Sequence, residues 1–392
     1  MPLKPFEIRQ QLEAKVDQFK TFNQEARYLL QQYRNALKDL VQRSPKEVKT
    51  RLQRLPHDCG AMPLEALEQS QNGIMPFGLA WHSRDASHRW VRDQLGGVTT
   101  FAVDGSQIFP SKDLSLLVAL VQVGWYENHH TEAGTYAKDI EMELMTPADW
   151  ADDRDGRDLL DRRVNMKRFE METARLVRYI EDHAGCDRTL VFFDGSLIAT
   201  FAEAFDAESQ RFYVDCLQRL ITASDRHRVP LVGYVDTSRA RDLVSFLQAI
   251  AGLPEAPGLH DAQVMNSLMK QGWGDRTPLY RCCRSGILQH YGDYKDQITF
   301  TYLKTNQDHP PARLELPLWI YETGRLEQIL NWVRAEVIIG SGYPYVIETA
   351  DQTAVLQTQD RQLFLRILQD WADNSDLNLR FSRKLISKIR RR

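Results

Sequence analysis

The sequence predicts a mixed α/β protein in which a meander of three antiparallel strands precedes parallel strands, with helices on both faces of the sheet. Two observations predict this class. Between residues 98 and 146, three β-rich runs follow one another with short breaks, which is typical of a meander. From there to residue 251, strand-length apolar runs alternate with stretches of helical periodicity, which is typical of parallel strands.

The first sixty residues (1–60) are expected to form a separate helical region. Apolar residues recur at spacings of three and four from residue 5 to about residue 45, which predicts one long helix. Its apolar stripe would either pair with a second copy of the chain or pack on the core of its own chain. Pro45 and Pro56 mark the polar connection that follows.

Residues 90–375 are expected to form the main domain. The predicted strands are 99–108, 114–127, 136–145, 189–197, 231–236, 298–304 and 314–321. The predicted helices are 159–183, 207–224, 240–251, 326–338 and about 351–372, and residues 254–297 are expected to be an inserted, partly helical segment. This order of elements is that of a ribonuclease H-like fold, in which acidic residues at adjacent strand ends bind catalytic metal ions.

Composition excludes several classes of protein. Of the 392 residues, 43% are hydrophobic and 26% are charged, as in an ordinary globular protein. The sequence has no apolar stretch of membrane-spanning length and no signal peptide at its N-terminus, so we expect a cytoplasmic protein without a membrane partner. The five cysteines include no Cys-x-x-Cys pair, which argues against a disulfide framework and a cysteine zinc site.

Charge is uneven along the chain. The net charge of −3 gives no global indication of nucleic-acid binding. However, the tail comprising residues 376–392 is basic, and its last thirteen residues hold seven basic side chains and no acidic one. This tail is either a phosphate-binding segment or a solvated terminus.

The tripeptide Asp-Gly-Ser occurs twice, each time after an apolar run. The two copies are Asp104 to Ser106 and Asp194 to Ser196. Each run is expected to be a buried strand that delivers a carboxylate into a turn. If the two strands are neighbours, Asp104 and Asp194 converge, and a divalent cation is the natural compensating charge. The alternative is a pair of unrelated turns, because Asp-Gly is common in turns.

Two carboxylates are too few ligands for two catalytic cations. The predicted helix before the second motif adds Glu170 and Glu172, both at the margin of its apolar face. Helical geometry alone does not choose between them, and each is otherwise a solvated helix charge.

Five motifs in order resemble the NurA family, nucleases of DNA end resection. They are the sequences at 101–106, the glutamate-containing helix, and the sequences at 191–197, 313–317 and 342–345. The resemblance implies a ribonuclease H-like core, manganese-dependent 5′ to 3′ exonuclease action and endonuclease action on single strands. It also implies a homodimer and partnership with a HerA-like hexameric ATPase that translocates on DNA.

Carried over by position, the resemblance makes Asp104 and Asp194 metal ligands and favours Glu172 over Glu170. Asp351 stands where the family has a histidine, and an aspartate there can still ligate Mn²⁺ or Mg²⁺. Asp236 lies in the region where the family has a lysine, so positive charge must come from Arg239 or Arg241. The supporting or substrate-binding residues are Ser106, Ser196, Arg239, Arg313 and Tyr343.

These residues predict a metal-dependent DNA nuclease that hydrolyses phosphodiesters with two cations, with Asp104, Glu172 and Asp194 as catalytic residues. Arg313 is expected to pair with Glu315, either beneath the site or at the surface. Tyr343 is expected either to stack on a nucleotide or to pack within its loop. One alternative function is a catalytically inactive DNA-repair scaffold that binds DNA and a HerA-like translocase. Another is a hydrolase of RNA or another phosphoester.

Overall fold

A computed structural model describes residues 3–111, 114–150, 157–269 and 272–375. The predicted basic tail, 376–392, lies outside the described residues. The chain divides into two compact units. Unit 1 comprises Met1–Ala80, Val235–Ser285 and Asp296–Glu315, and unit 2 comprises Trp81–Tyr234, Gly286–Lys295 and Leu316–Arg392. Among the described helices, none combines the length and apolar character that crossing a membrane requires.

The elements follow the predicted alternation in most of the chain. The helices are α1 (Pro5–Glu13), α2 (Val16–Val41), α3 (Pro45–Leu52), α4 (Arg84–Leu95), α5 (Arg157–Asp182), α6 (Ala207–His227), α7 (Asp242–Ala251), α8 (Asp261–Leu268), α9 (Leu318–Glu322), α10 (Leu326–Ile339), α11 (Tyr345–Ala354) and α12 (Thr358–Asn374). The strands are β1 (Gly60–Pro63), β2 (Thr99–Ile108), β3 (Ala119–Asn128), β4 (Tyr136–Met145), β5 (Thr189–Asp194), β6 (Leu231–Val235), β7 (Tyr280–Cys283), β8 (Ile298–Leu303) and β9 (Ala312–Pro317).

The sheet of unit 2 has the strand order β6-β5-β2-β3-β4. Strands β2, β3 and β4 form an antiparallel meander. Strands β5 and β6 run parallel, with β5 parallel to β2. Phe101 and Phe192 on the central strands are fully buried, as expected where helices cover both faces of a sheet. The predicted mixed sheet is therefore confirmed.

Helices α5 and α11 cover opposite faces of β2. Ser106 donates a hydrogen bond to the Ala354 carbonyl at the end of α11. A Cβ atom placed on the adjacent Gly105 would instead lie 2.4 Å from Oε1 of Glu172 in α5. Because successive strand residues point to opposite faces, the two helices contact β2 from opposite sides. Each face can thus contribute side chains around the same segment of strand.

Unit 1 contains four strands in the order β1-β7-β8-β9. Strands β1 and β7 are antiparallel, as are β7 and β8. The second half of α2 packs on its own chain, because Tyr33 is fully buried and its hydroxyl donates to the Pro254 carbonyl at 2.7 Å. Strand β7 lies within residues 254–297, so this segment, expected to be an insertion, contributes a strand to the sheet.

Several predicted boundaries were wrong. The first Asp-Gly-Ser is not a turn, because β2 continues through Asp104 to Ile108. The predicted N-terminal helix divides into α1 and α2 between Glu13 and Val16, although the apolar spacing continues through the break. The predicted strand 314–321 ends at Pro317, which has no N–H to extend a ladder, and α9 follows. The predicted helix 351–372 is divided by the extended Val355 into α11 and α12.

Candidate active site

Asp104 and Asp194 lie on neighbouring parallel strands. The register of β2 and β5 pairs Val103 with Phe193, which places the two aspartates one residue further along. Paired residues of adjacent parallel strands point to the same face and are separated by about 5 Å between backbones. Strand β5 ends at Asp194, and Gly195 follows with φ +150°, so the second motif does end in a turn. The predicted convergence of the two carboxylates is confirmed.

Asp351 approaches this pair from α11. Its carboxylate lies close enough to Asp104 to act on the pKa of that residue. Burial raises the pKa of Asp104 to about 6, and the neighbouring Asp351 and Asp194 contribute to the increase. The ionised form of Asp104 is therefore disfavoured mainly by burial and further by its two acidic neighbours.

Glu172 reaches the same region from α5. Its side chain is buried, and Oε1 accepts a hydrogen bond from Nη1 of Arg168 at 2.5 Å. Burial raises the pKa of Glu172 to about 7 despite the opposing charge of Arg168, and Asp104 and Asp194 raise it further. The absence of a side chain at Gly105 makes this approach possible, since a Cβ atom there would collide with the Glu172 carboxylate.

Helix α11 is held at both ends. At its first turn, the Val346 N–H donates to Oε2 of the fully buried Glu336 at 3.1 Å. At its last turn, Ser106 and Gln122 both donate to the Ala354 carbonyl, at 2.6 and 2.8 Å. These contacts fix the position of the helix that contains Asp351, while the role of Ser106 at the site stays a prediction.

Other side chains steady the end of β5. The Tyr343 hydroxyl donates to Oδ1 of Asp194 at 3.0 Å, and the Tyr343 ring packs edge-on against Tyr234, 5.1 Å between centroids. The Ser196 hydroxyl donates to the Ile198 carbonyl and accepts from the Ile198 N–H, which closes the turn after Asp194. Tyr343 thus orients a carboxylate, and stacking of its ring on a nucleotide stays a prediction.

A cavity of 450 Å³ opens onto three of the carboxylates. It is lined by Asp104, Glu172 and Asp194 together with Arg168 and several aromatic side chains. Sequence reasoning missed Arg168, whose signal is its position four residues before Glu172, a spacing that brings oppositely charged helix residues together. It also missed Glu336, whose contacts depend on tertiary packing.

The donor set fits a hard divalent cation, since the side chains around Asp104 are carboxylates, whose oxygen atoms are the ligands that such ions prefer. In the described parts of the chain, however, no three histidine, cysteine, aspartate or glutamate side chains are gathered closely enough to hold a metal ion. Glu172 and Asp351 approach β2 from opposite sides, so the acidic residues around Asp104 are spread over both faces of the strand.

The remaining predicted residues are placed elsewhere. Glu170 pairs with Lys167 at 3.3 Å on the more exposed surface of α5, so its neighbour Glu172 is the glutamate directed at the aspartates. Arg239 and Asp236 are exposed residues of unit 1. Arg313, also in unit 1, is almost fully buried and donates to Asp242 at 2.8 Å and to Glu315 at 2.7 Å. The Arg313–Glu315 pair is therefore present and belongs to a buried ionic cluster.

Comparisons with known proteins relate the chain to one family. The sequence model described as the NurA domain matches residues 98–356, more than half of the chain, and this range includes all four carboxylates described above. No curated protein matches the chain.

Similar solved structures were also found, each with low sequence identity. A crystal structure of NurA with manganese is 10% identical, with a TM-score of 0.41, and covers 72% of this chain and 92% of its own. A crystal structure of NurA is 10% identical, with a TM-score of 0.45, and covers 71% and 89%. A crystal structure of NurA bound to dAMP and manganese is 10% identical, with a TM-score of 0.38, and covers 70% and 88%.

Proposed function

The chain belongs to the NurA family, and we propose that it is a metal-dependent deoxyribonuclease. The observation that supports this most directly is that Asp104 has two acidic neighbours, Asp194 on the adjacent strand and Asp351 on α11, and that its pKa is raised to about 6. Ionising the partly buried Asp104 beside two other carboxylates costs free energy, which a bound cation would offset. Asp104, Glu172, Asp194 and Asp351 would hold Mn²⁺ or Mg²⁺, and two ions would suit phosphodiester hydrolysis.

When bound, the cations supply Lewis-acid polarisation of the scissile phosphate and stabilise charge on the leaving oxygen. The protein groups have separate roles. Tyr343 keeps the Asp194 carboxylate in one orientation through its hydroxyl. Arg168, which lines the cavity, is placed to neutralise a phosphate oxygen while it holds Glu172. The turn closed by Ser196 keeps the end of β5 in place.

The finer features of the proposal concern fold, action and assembly. The strand order β6-β5-β2-β3-β4, with an antiparallel meander and two parallel strands, supports a ribonuclease H-like core. We propose 5′ to 3′ exonuclease and single-strand endonuclease action in DNA end resection, in the cytoplasm, with a HerA-like ATPase as partner. Exposed apolar side chains on α1 and the first half of α2, including Phe6, Phe19 and Phe22, support homodimer formation through the N-terminal region 1–60.

Cleavage of end-labelled DNA tests the activity. Single- and double-stranded substrates would be incubated with wild-type protein in Mn²⁺, Mg²⁺ or EDTA, and with Asp194→Asn and Glu172→Gln. We expect cutting that needs the metal and that both substitutions abolish, because each removes a charged ligand. Glu170→Gln is the matched control, since it changes a carboxylate two residues away, and it should cut like wild type.

The other outcomes identify the alternative functions. DNA binding without cutting in any metal, also after addition of a HerA-like ATPase, would refute the nuclease and favour the non-catalytic scaffold. Cutting of RNA in preference to DNA would assign the same carboxylates to a ribonuclease. Equal cutting by Asp194→Asn and wild type would refute the metal site itself.

A further inference from the structure

The cavity beside the carboxylates has an aromatic side that the proposed metal chemistry does not use. Phe201 lies in a short 3-10 helix, Thr200–Ala204, which follows the turn after β5. Its side chain lines the cavity shared with Asp104 and Asp194 and is 50% exposed. Leaving much of a phenylalanine ring in water forfeits part of its burial energy, and a base stacked on the ring would recover that part.

The Phe201 ring is held rigidly from behind. It packs edge-on against Tyr213 with 4.9 Å between ring centroids, and at 5.9 Å against Phe169. Tyr213 and Phe169 are themselves buried. The Phe201 ring therefore presents a fixed apolar surface, and a ligand that stacks on it would lose little side-chain entropy.

The charges around this surface suit a nucleotide. Arg168 lines the same cavity as Phe201. The Arg162 guanidinium lies 4.9 Å from the centroid of the neighbouring Phe205 ring and pairs with Asp206 at 2.5 Å. An aromatic surface beside cationic side chains and a carboxylate cluster matches the three parts of a nucleotide bound with a divalent cation, namely the base, the phosphate and the metal ion.

We propose that Phe201 is the stacking surface for the base of a nucleotide whose phosphate lies beside Asp104, Glu172 and Asp194. This inference rests on the proposed function for the position of the phosphate. The ring can stack only on a base face that no neighbouring base covers, and bases inside a duplex are covered on both faces. The site therefore selects single strands and duplex ends, without preference for base sequence, since every base has a π face.

A binding experiment with abasic DNA isolates the stacking contact. Fluorescence anisotropy would measure the Kd of a labelled single-stranded oligonucleotide in Ca²⁺, compared with oligonucleotides that lack one base at successive positions. For wild-type protein, we expect one or two positions at which loss of the base raises the Kd about 10-fold. Phe201→Leu should bind the intact oligonucleotide about 10-fold more weakly and lose this sensitivity. Phe201→Trp should retain both the affinity and the sensitivity.

Two controls separate stacking from loss of structure. Tyr136→Leu changes an aromatic residue that is 58% exposed on β4, outside the proposed dimer region, and should leave all Kd values unchanged. The melting temperature of each variant checks its fold. Two results would refute the stacking surface. One is that loss of the base raises the Kd of Phe201→Leu as much as that of wild type, and the other is that wild-type protein binds all the oligonucleotides equally. Cleavage of the same oligonucleotides in Mn²⁺ tests the nuclease separately, so absence of cutting with base sensitivity intact would refute only the proposed activity.

Discussion

Replacing Asp104 with asparagine should stabilise the metal-free protein at alkaline pH. The substitution preserves the size of the side chain and removes its charge. In the wild-type protein, burial and the nearby carboxylates raise the pKa of Asp104 from 3.8 to about 6. A carboxylate whose ionisation is disfavoured by folding lowers stability whenever it is ionised.

The size and sign of the effect follow from this shift. Because the pKa is higher in the folded state, the group's contribution to stability is fully present below pH 3.8 and is lost as the pH rises through about 6. A shift of about two pKa units corresponds to about 3 kcal/mol, and the partial exposure of Asp104 reduces the expected effect to about 2 kcal/mol. Asp104→Asn should therefore gain about 2 kcal/mol over wild type at pH 8 and much less at pH 4.5.

The assay is thermal unfolding of metal-free wild-type and variant protein between pH 4.5 and pH 8. For a unit of this size, about 2 kcal/mol corresponds to an increase of roughly 4–8 °C in the melting temperature. Glu170→Gln is the matched control, because it removes an acidic charge that is paired with Lys167 near the surface. Adding Mn²⁺ should stabilise wild type and leave Asp104→Asn unchanged, since only the ionised carboxylate favours the cation.

The reasoning fails if Asp104→Asn is no more stable than wild type at pH 8, or if its advantage is the same at pH 4.5. Either result would mean that the carboxylates are not crowded in the folded protein. An equal advantage in Glu170→Gln would instead indicate a general effect of net charge. Stabilisation of Asp104→Asn by Mn²⁺ to the same extent as wild type would remove Asp104 from the set of ligands.

Three further changes test how the site and the fold are supported. Gly105→Ala should weaken Mn²⁺ binding about 10-fold in calorimetry, because its Cβ displaces the Glu172 carboxylate, and unchanged affinity would refute this packing. The double variant Ser106→Ala, Gln122→Met should lower the free energy of unfolding by about 2 kcal/mol, because the carbonyl that ends α11 loses both donors, and each single variant should cost less. Arg313→Met should lower the free energy of unfolding by about 3–5 kcal/mol in chemical denaturation, because the buried Asp242 and Glu315 carboxylates lose this partner. A loss below 1 kcal/mol would show that the buried ionic cluster reorganises.

Local patterns predicted most of the sheet of unit 2. Two of the three meander strands, 99–108 and 136–145, have the predicted bounds, because β-rich runs between short breaks depend on neighbouring residues only. Periodicity was less informative at helix ends. The breaks before Val16 and after Ala354 interrupt apolar stripes that continue through them, and nothing in the spacing of apolar residues marks such a break.

The site, like the fold, was predicted where neighbouring residues carry the signal and was missed where contacts join distant segments. Repetition of Asp-Gly-Ser was enough to select Asp104 and Asp194, because two similar strands in one sheet bring equivalent residues together. The role of Gly105 was misinterpreted, since a glycine after an aspartate is typical of a turn, whereas here it leaves space for Glu172. Residue type alone could not show that Tyr343 binds Asp194 through its hydroxyl, because that contact joins distant segments.

Asp351 and Glu172 are held in place by different kinds of contact, and this difference affects metal binding. Asp351 is fixed by α11, whose ends are tied to the sheet and to Glu336. Glu172 is instead restrained by a charged partner, Arg168, on its own helix. A cation that binds Glu172 draws it away from Arg168 and so competes with the Arg168–Glu172 ion pair. A phosphate can then bind Arg168 in place of Glu172. Metal and phosphate should therefore bind cooperatively, with Mn²⁺ affinity higher in the presence of a nucleotide, and Arg168→Met should abolish that coupling. Equal Mn²⁺ affinity with and without nucleotide would show that Arg168 does not link the two ligands.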